Sequence, residues 1–366
     1  ILEFHNYDWP NLELLNSIYR ARHASAMNEF LRLGTPFTLI NSTIIPAAPF
    51  FTRDWLMPVQ QTGPVKLKQY LLDVERSYCI PYGSAGTALF GYGIAGTATA
   101  ITNLVSNTGV VSTDTTGVGT ARYGVGGSGY GTDKAIFGYG YTTTYVSMTN
   151  LVSSAGVVAS DTTGVGTARY YPSAAGYGTD KALFGYGYTT VVQSVTNLVS
   201  NVGVVATDTA GVGTARYTNA AARYGTDKAI FGYGLTTVVV SMTNLVSNTG
   251  VVASDTAGVG SARFGIAAAD YGTDKAIFGY GTTGVHLAVT NLVSNTGVVS
   301  SDTAGVGTAR YQVAASGYGT DKALFGYGFT TVDVSMTNLV SNTGVVSSDT
   351  TGVGTARGWL SAAKYG

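Results

Sequence analysis

The sequence predicts an all-β protein: a six-bladed β-propeller over residues 84–366, with four-stranded blades and a C-terminal strand closing the first blade, preceded by a small N-terminal mixed segment, residues 1–83, that contains one helix. Three observations predict it. A 47-residue unit recurs six times without insertion or deletion, each unit holds four strand-like runs parted by turn residues, and the chain ends on one additional first strand.

The period is read from fixed landmarks. Phe90, Phe137, Phe184, Phe231, Phe278 and Phe325 all stand in Phe-Gly-Tyr-Gly, Asn103 and its five successors in Thr-Asn-Leu-Val-Ser, and Asp114 and its successors before Thr-(Thr/Ala)-Gly-Val-Gly. A period near 50 fits a propeller blade. Helical repeats of similar length are contradicted by a composition with 50 Gly, 25 Tyr, much Val and Thr and only 11% charged residues, which favours short strands and tight turns.

Within the unit that follows Arg122, residues 123–130 read as the first strand, Gly131-Thr132-Asp133-Lys134 as a tight turn and residues 135–139 as the second strand. Residues 145–153 form the third, Ser154-Ala155-Gly156 the next turn, and residues 157–162 the fourth. Small residues in the first strand suit a crowded central axis, whereas Ile136-Phe137 and its equivalents supply bulk between neighbouring blades, at roughly 1.5–3 kcal/mol per buried large side chain.

Five units carry Gly-Thr-Asp-Lys before the second strand, but the first has Ala85-Gly86-Thr87. The chain ends on a first strand with nothing after it. Ring closure accounts for both, because a blade built from opposite chain ends needs no hairpin turn, and closure removes exposed sheet edges. An open solenoid is the alternative; it requires atypical capping repeats, and the last unit is not divergent.

Composition also bounds function. Twenty acidic and twenty basic residues cancel, so no global field draws in nucleic acid. No apolar run approaches the ~18 residues that span a bilayer, so membrane insertion is not expected. Cys79 stands alone, and His5, His23 and His286 are isolated, so no metal cluster is indicated. The Asp133-Lys134 pairs read as turn chemistry, Asp161 and its equivalents as hydrogen-bonding groups with too few carboxylates for a calcium cage, and the arginines as groups satisfying carbonyls or Asp between blades. Gly124-Val125-Gly126-Gly127 lacks the Gly-Lys-Ser/Thr of a phosphate loop, no Ser/His/Asp set is present, and Asp270 and Asp333 are scattered acids outside the repeat. No cofactor and no enzymatic activity are expected.

The unit resembles the kelch repeat. Gly138-Tyr139-Gly140 is similar to the diglycine after the kelch second strand, and Arg122, Arg169, Arg216, Arg263, Arg310 and Arg357 to its Arg before the first strand; Asn150-Leu151 and Val157-Val158 depart from its aromatic positions, which marks a divergent class. Strings such as Asp-Lys-Ala-Ile-Phe-Gly-Tyr-Gly with Thr-Asn-Leu-Val-Ser-Asn-Thr-Gly-Val-Val look like repeat proteins of tailed bacteriophages. That resemblance implies a structural protein of the virion, of tail-fibre or decoration type.

Variation among the six units is concentrated toward one face of the disc, because the connection into the first strand and the loop after the second strand share an end. Tyr123, Tyr141, Tyr145, Tyr170, Tyr171, Tyr188, Gln193, Tyr217, Asn219, His286, Gln312, Asp333 and Trp359 are the candidate ligand face. Tyr and Trp stack on sugar rings, and the polar members bond hydroxyls; neutral drift on a solvent face is the alternative. In residues 1–83, an amphipathic pattern over residues 11–33 ends at Gly34 and Pro36. Its Leu12, Leu15, Tyr19 and Phe30, with Phe50, Phe51 and Trp55, are candidate docking residues, for a partner, for self-association, or for the propeller itself.

The expectation is thus a non-enzymatic virion protein, present as a homo-oligomer or in several copies, that attaches to other virion proteins through residues 1–83 and to host-surface glycan or protein through the variable face. A purely structural spacer and a polysaccharide-degrading enzyme on the same scaffold are the alternatives.

Overall fold

A computed structural model describes residues 86–366, together with two strands, Leu2–Glu3 and Thr38–Leu39, that pair antiparallel with each other. The helix expected over residues 11–33 and the docking residues Leu12, Leu15, Tyr19, Phe30, Phe50, Phe51 and Trp55 lie outside the described residues. The chain divides between Ile80 and Pro81, and the described residues of the second unit contain no helix.

That unit is built on six three-stranded antiparallel sheets, with one short two-stranded ribbon, Ile94–Ala95 with Thr97–Ala98, beside the first. In sheet two the inner, middle and outer strands are Gly126–Tyr130, Lys134–Tyr141 and Tyr145–Val152. Sheet three (Ser173–Tyr177, Lys181–Tyr188, Val192–Val199), sheet four (Ala220–Tyr224, Lys228–Leu235, Val239–Val246) and sheet six (Ala314–Tyr318, Lys322–Phe329, Asp333–Val340) repeat those lengths. Sheet five is shorter, with Ala267–Tyr271, Lys275–Gly279 and Thr290–Val293. Sheet one draws its middle and outer strands, Thr87–Gly91 and Thr102–Val105, from the start of the unit and its inner strand, Ser361–Tyr365, from the end, with Ser361 opposite Gly91 and Tyr365 opposite Thr87. The inner strands touch in cyclic order and sheet one meets both sheet two and sheet six, so the architecture is a β-propeller-like ring.

The fourth strand differs from expectation. Instead of a ladder, residues 157–162 make only two isolated bridges to the outer strand, Val152 with Val158 and Thr149 with Thr162. A side chain occupies the place of the missing pairs: Asn150 Nδ2 donates to Ala159 O at 3.0 Å and to Asp161 Oδ1 at 2.9 Å. The segment is pinned by this amide together with four backbone hydrogen bonds rather than by a continuous ladder, Thr149 and Thr162 exchanging two, Ala159 N donating to Leu151 O and Ser153 N to Val157 O, and its other face is open, with Val157 65% exposed.

The middle strand is buried on both faces, as residues between two neighbouring sheets must be. Its glycine explains how the sheets approach. A Cβ at Gly138 would lie 2.7 Å from Phe184 Cζ of sheet three, and the same relation runs through Gly185 with Phe231, Gly232 with Phe278 and Gly279 with Phe325, then Gly326 with Phe90 and Gly91 with Phe137, closing on itself. Each phenylalanine fills the side-chain space its neighbour leaves empty. Tyr139 then adopts φ 63° at a bulge between Gly138 and Gly140, which turns its carbonyl out of the ladder.

That carbonyl is taken by Arg122, whose Nε donates to it at 2.8 Å while Nη1 donates to Thr120 O at 3.0 Å and Nη2 to Asn150 Oδ1 at 2.6 Å. The guanidinium, fully buried, lies 4.3 Å over the Tyr92 ring of sheet one. Burial alone would raise the Asp161 carboxyl, but hydrogen bonds from Thr120 and Asn150 and the charge of Arg122 hold it below the usual carboxylate range. A buried guanidinium is tolerable only when its donors are met and its charge is balanced. The relay recurs at every seam, and Arg357 completes it by donating to Tyr92 O at 2.8 Å and Asn103 Oδ1 at 2.7 Å, which ties the end of the chain to sheet one.

Candidate functional site

The inner strands surround a central channel, and their burial alternates with the period of two that a strand dictates. In sheet two Gly126, Ser128 and Tyr130 are buried, while Gly127 and Gly129 are less so and face the axis. Gly127, Ala174, Ala221, Ala268, Ala315 and Ala362, one per sheet, line both of the cavities into which the channel divides, about 110 Å³ toward the variable face and about 400 Å³ toward the turns.

At the variable mouth the chain enters each inner strand through a left-handed residue. Gly124 and Gly265 fill this position in two sheets, but Tyr171 (φ 53°), Thr218 (φ 50°), Gln312 (φ 61°) and Trp359 (φ 51°) fill it in the other four, and all six line the smaller cavity. The conformation lets Tyr171 N donate to Gly124 O at 2.7 Å and Gly124 N to Trp359 O at 2.9 Å, with Gln312 N to Gly265 O at 2.9 Å on the far side. A non-glycine residue held there carries strain on the order of 1 kcal/mol or more, and such strain concentrates at ligand sites.

The same mouth gathers the aromatic residues. Gly124 leaves room for the Tyr171 and Trp359 rings to meet, centroids 4.3 Å apart. Tyr171 also packs 4.1 Å from Tyr170, which touches Tyr141 (5.7 Å), Tyr145 (5.5 Å) and Tyr188 (5.6 Å). Tyr123 joins through Tyr141 at 5.6 Å, and Tyr217 through Tyr188 at 5.1 Å. Across the mouth Trp359 reaches Tyr311 at 5.9 Å, and Tyr311 holds His286 at 4.7 Å. Burial, and then the neighbouring phenols, push Tyr170 up to about 12, and burial raises Tyr171 as well, so both hydroxyls stay protonated as donors at neutral pH.

Asn219 is the anomaly. Its five equivalents are Val125, Pro172, Ile266, Val313 and Leu360, yet it lines the same cavity at 7% exposure with neither amide atom hydrogen-bonded. Gln312 and Asp333 come together over Gly358, where no side chain stands in their way, and burial raises the Asp333 carboxyl. His286 keeps a shielded Nδ1 without a partner. Gln193 alone among the predicted residues is tied into its own loop, donating to Thr189 Oγ1 at 3.1 Å and Val191 O at 3.3 Å.

Sequence reasoning passed over Tyr311, Phe264 and Phe329. The signal was present in the period, because Tyr311 and Phe264 occupy the position of Tyr123, Tyr170 and Tyr217, and Phe329 that of Tyr141 and Tyr188. It also left Thr218 aside, whose left-handed backbone no residue type announces.

The turn end of the channel has a different character. Turn amides link the sheets in a ring, from Gly131 N to Asp180 O at 2.7 Å through to Gly366 N to Asp133 O at 3.0 Å. Asp133 with Lys134 (2.9 Å) and its counterparts are solvent-exposed pairs that contribute little. Among the described residues, no three His, Cys, Asp or Glu side chains gather as metal ligands. The sequence matches no protein-family model and no curated protein.

Proposed function

We propose that the chain is a six-bladed β-propeller with a rudimentary fourth strand in each blade, and that it binds carbohydrate, without turning it over, at the aromatic mouth of its channel. One observation carries this reading: the small cavity at the variable mouth is lined by Tyr171, Trp359 and Gln312, beside a continuous field of tyrosines. A pyranose presents apolar C–H faces that pack on aromatic rings and hydroxyls that both donate and accept. An amide offers both functions at once, and Gln312 brings one to this cavity. The rings lie on different sheets, so a rigid framework holds the surface in shape before binding.

The likeness of the repeat to proteins of tailed-phage particles supports a further step, in which the carbohydrate is a host-surface glycan, residues 1–83 join the ring to other virion proteins, and the protein is carried in several copies as an attachment component. The test is a glycan array followed by titration calorimetry with the full chain and its Trp359→Ala and Gln312→Gly variants, the second installing the residue that two other sheets use at that position. A glycan that binds the parent and loses roughly tenfold or more in affinity with each variant, a difference of about 1.4 kcal/mol, is the expected outcome. Failure of every glycan to bind, or binding indifferent to both substitutions, overturns the proposal.

A further inference from the structure

The opposite mouth breaks the repeat in a second place. The fourth residue of the inner strand faces the channel, and around the ring it is Lys364, Gly129, Gly176, Arg223, Asp270 and Gly317. Three sheets keep glycine. The other three carry charge, and Arg223 and Lys364 belong to sheets four and one, three places apart in a cycle of six.

These charges do not cancel one another. Asp270 leans over Gly317 of sheet six, where a Cβ would lie 3.0 Å from Oδ1 and 3.1 Å from Oδ2, while Arg223 leans the other way, its Cδ 3.9 Å from the same point on Gly176 of sheet three. The ion pairs among the described residues include none of Arg223, Asp270 and Lys364. Arg223 Nε is shielded from water and has no partner. The nearby carboxylates are otherwise engaged, Asp227 by Lys228 at 3.1 Å, Asp274 by Lys275 at 3.2 Å and Asp321 by Lys322 at 3.1 Å. Arg223, Asp270 and Lys364 line one pocket of about 180 Å³ with the last two of those pairs, and all three also line the 400 Å³ channel cavity.

We infer that this mouth is a second binding site, for a ligand bearing one carboxylate flanked by hydroxyls, of the class of a uronic acid. Two cations against one carboxylate leave a single positive charge in excess, which one carboxylate neutralises. The planar guanidinium presents its two terminal nitrogens as paired donors to that carboxylate, and Lys364 supplies a point charge from across the channel. Asp270, an acceptor only, takes a hydroxyl of the sugar. A phosphate fits worse, since at neutral pH it brings more negative charge beside Asp270 than a carboxylate does and, being tetrahedral, lacks the apolar ring and the row of hydroxyls that a uronic acid offers. The glycines at the three remaining positions add no side chain to the space.

The site is tested by calorimetry on the full chain with glucuronate, glucose and inorganic phosphate. The variants are Arg223→Gly, Lys364→Gly and Asp270→Gly, each installing the residue that the repeat itself uses at that position, so the ring is retained; circular dichroism checks this. Glucuronate is expected to bind, to weaken by about tenfold or more with Arg223→Gly or Lys364→Gly, to weaken with added salt, and to be indifferent to Trp359→Ala, which separates this site from the aromatic mouth. Asp270→Gly is expected to erode the preference for glucuronate over phosphate. Equal binding of glucose, phosphate binding above glucuronate in the parent protein, or an affinity unchanged by Arg223→Gly overturns the inference.

Discussion

The seams between sheets and the wall of the channel obey opposite rules. At every seam the same parts recur: a phenylalanine on a glycine, an arginine over a tyrosine, an asparagine reaching an aspartate. At the two mouths of the channel the six equivalent positions seldom agree, and two buried polar atoms of Asn219 and one of Arg223 stand without partners. Both regions contain polar side chains in confined places. At the seams every one of them is answered by another part of the chain, whereas along the channel those of Asn219 and Arg223 find no partner in the described residues.

The sharpest way to break that comparison is to remove one polar group from each region. Arg216→Leu would strand Asn244 Oδ1 and Tyr233 O, and urea denaturation should show a loss of about 3–5 kcal/mol, the cost of uncoupling a buried charge network. Asn219→Val installs the apolar character of its five equivalents and should instead gain about 1 kcal/mol, since the amide has nothing to lose. A large loss from Asn219→Val would erase the distinction. Glycines give a smaller contrast. Gly185→Ala places a methyl 2.7 Å from Phe231 Cζ and should cost about 1–3 kcal/mol by overpacking a seam. Gly176→Ala, on the channel wall with its nearest neighbour 3.6 Å away, should stabilise by about 0.4–1 kcal/mol through the unfolded chain.

Alkaline titration refines the picture with the least disturbance. Burial pushes Tyr92, Tyr139, Tyr233, Tyr280 and Tyr327 up to about 12 against the pull of the adjacent arginines. A folded-state value above the unfolded one, about 10 for tyrosine, favours the native state below that pH and withdraws the benefit as the pH climbs toward about 12. Phenolate absorbance should therefore rise in two stages, with the later one coinciding with loss of near-ultraviolet circular dichroism. A single stage near the ordinary tyrosine value would place these rings in solvent.

Much of this was legible in the residues. The unbroken period located the middle strand, the extra strand at the end located its partner at Thr87–Gly91, and the variable positions located most of the aromatic field. The fourth strand was misread because residues 157–162 have strand-like composition, while their ladder is interrupted by a side chain, Asn150, that lies in a different element. The left-handed ring was hidden for a similar reason: Tyr171, Thr218, Gln312 and Trp359 do not advertise positive φ, and only Gly124 and Gly265 mark it. Asp270 stood out as an acid outside the repeat, but its place on the channel wall depends on where the strand alternation starts, and one residue of uncertainty there would send it into a seam instead.

The pairing of Ser361–Tyr365 with Thr87–Gly91 brings Gly366 and Gly86 together, with Gly86 N donating to Gly366 O at 2.6 Å. The break in the circle is thus a matter of bookkeeping rather than of architecture. A circular permutant that joins these two glycines through a single Thr, with Gly86 standing where the other five turns have Asp, and opens the chain at the exposed Thr143–Thr144 loop instead, would present the same ring with residues 1–85 attached to a different sheet.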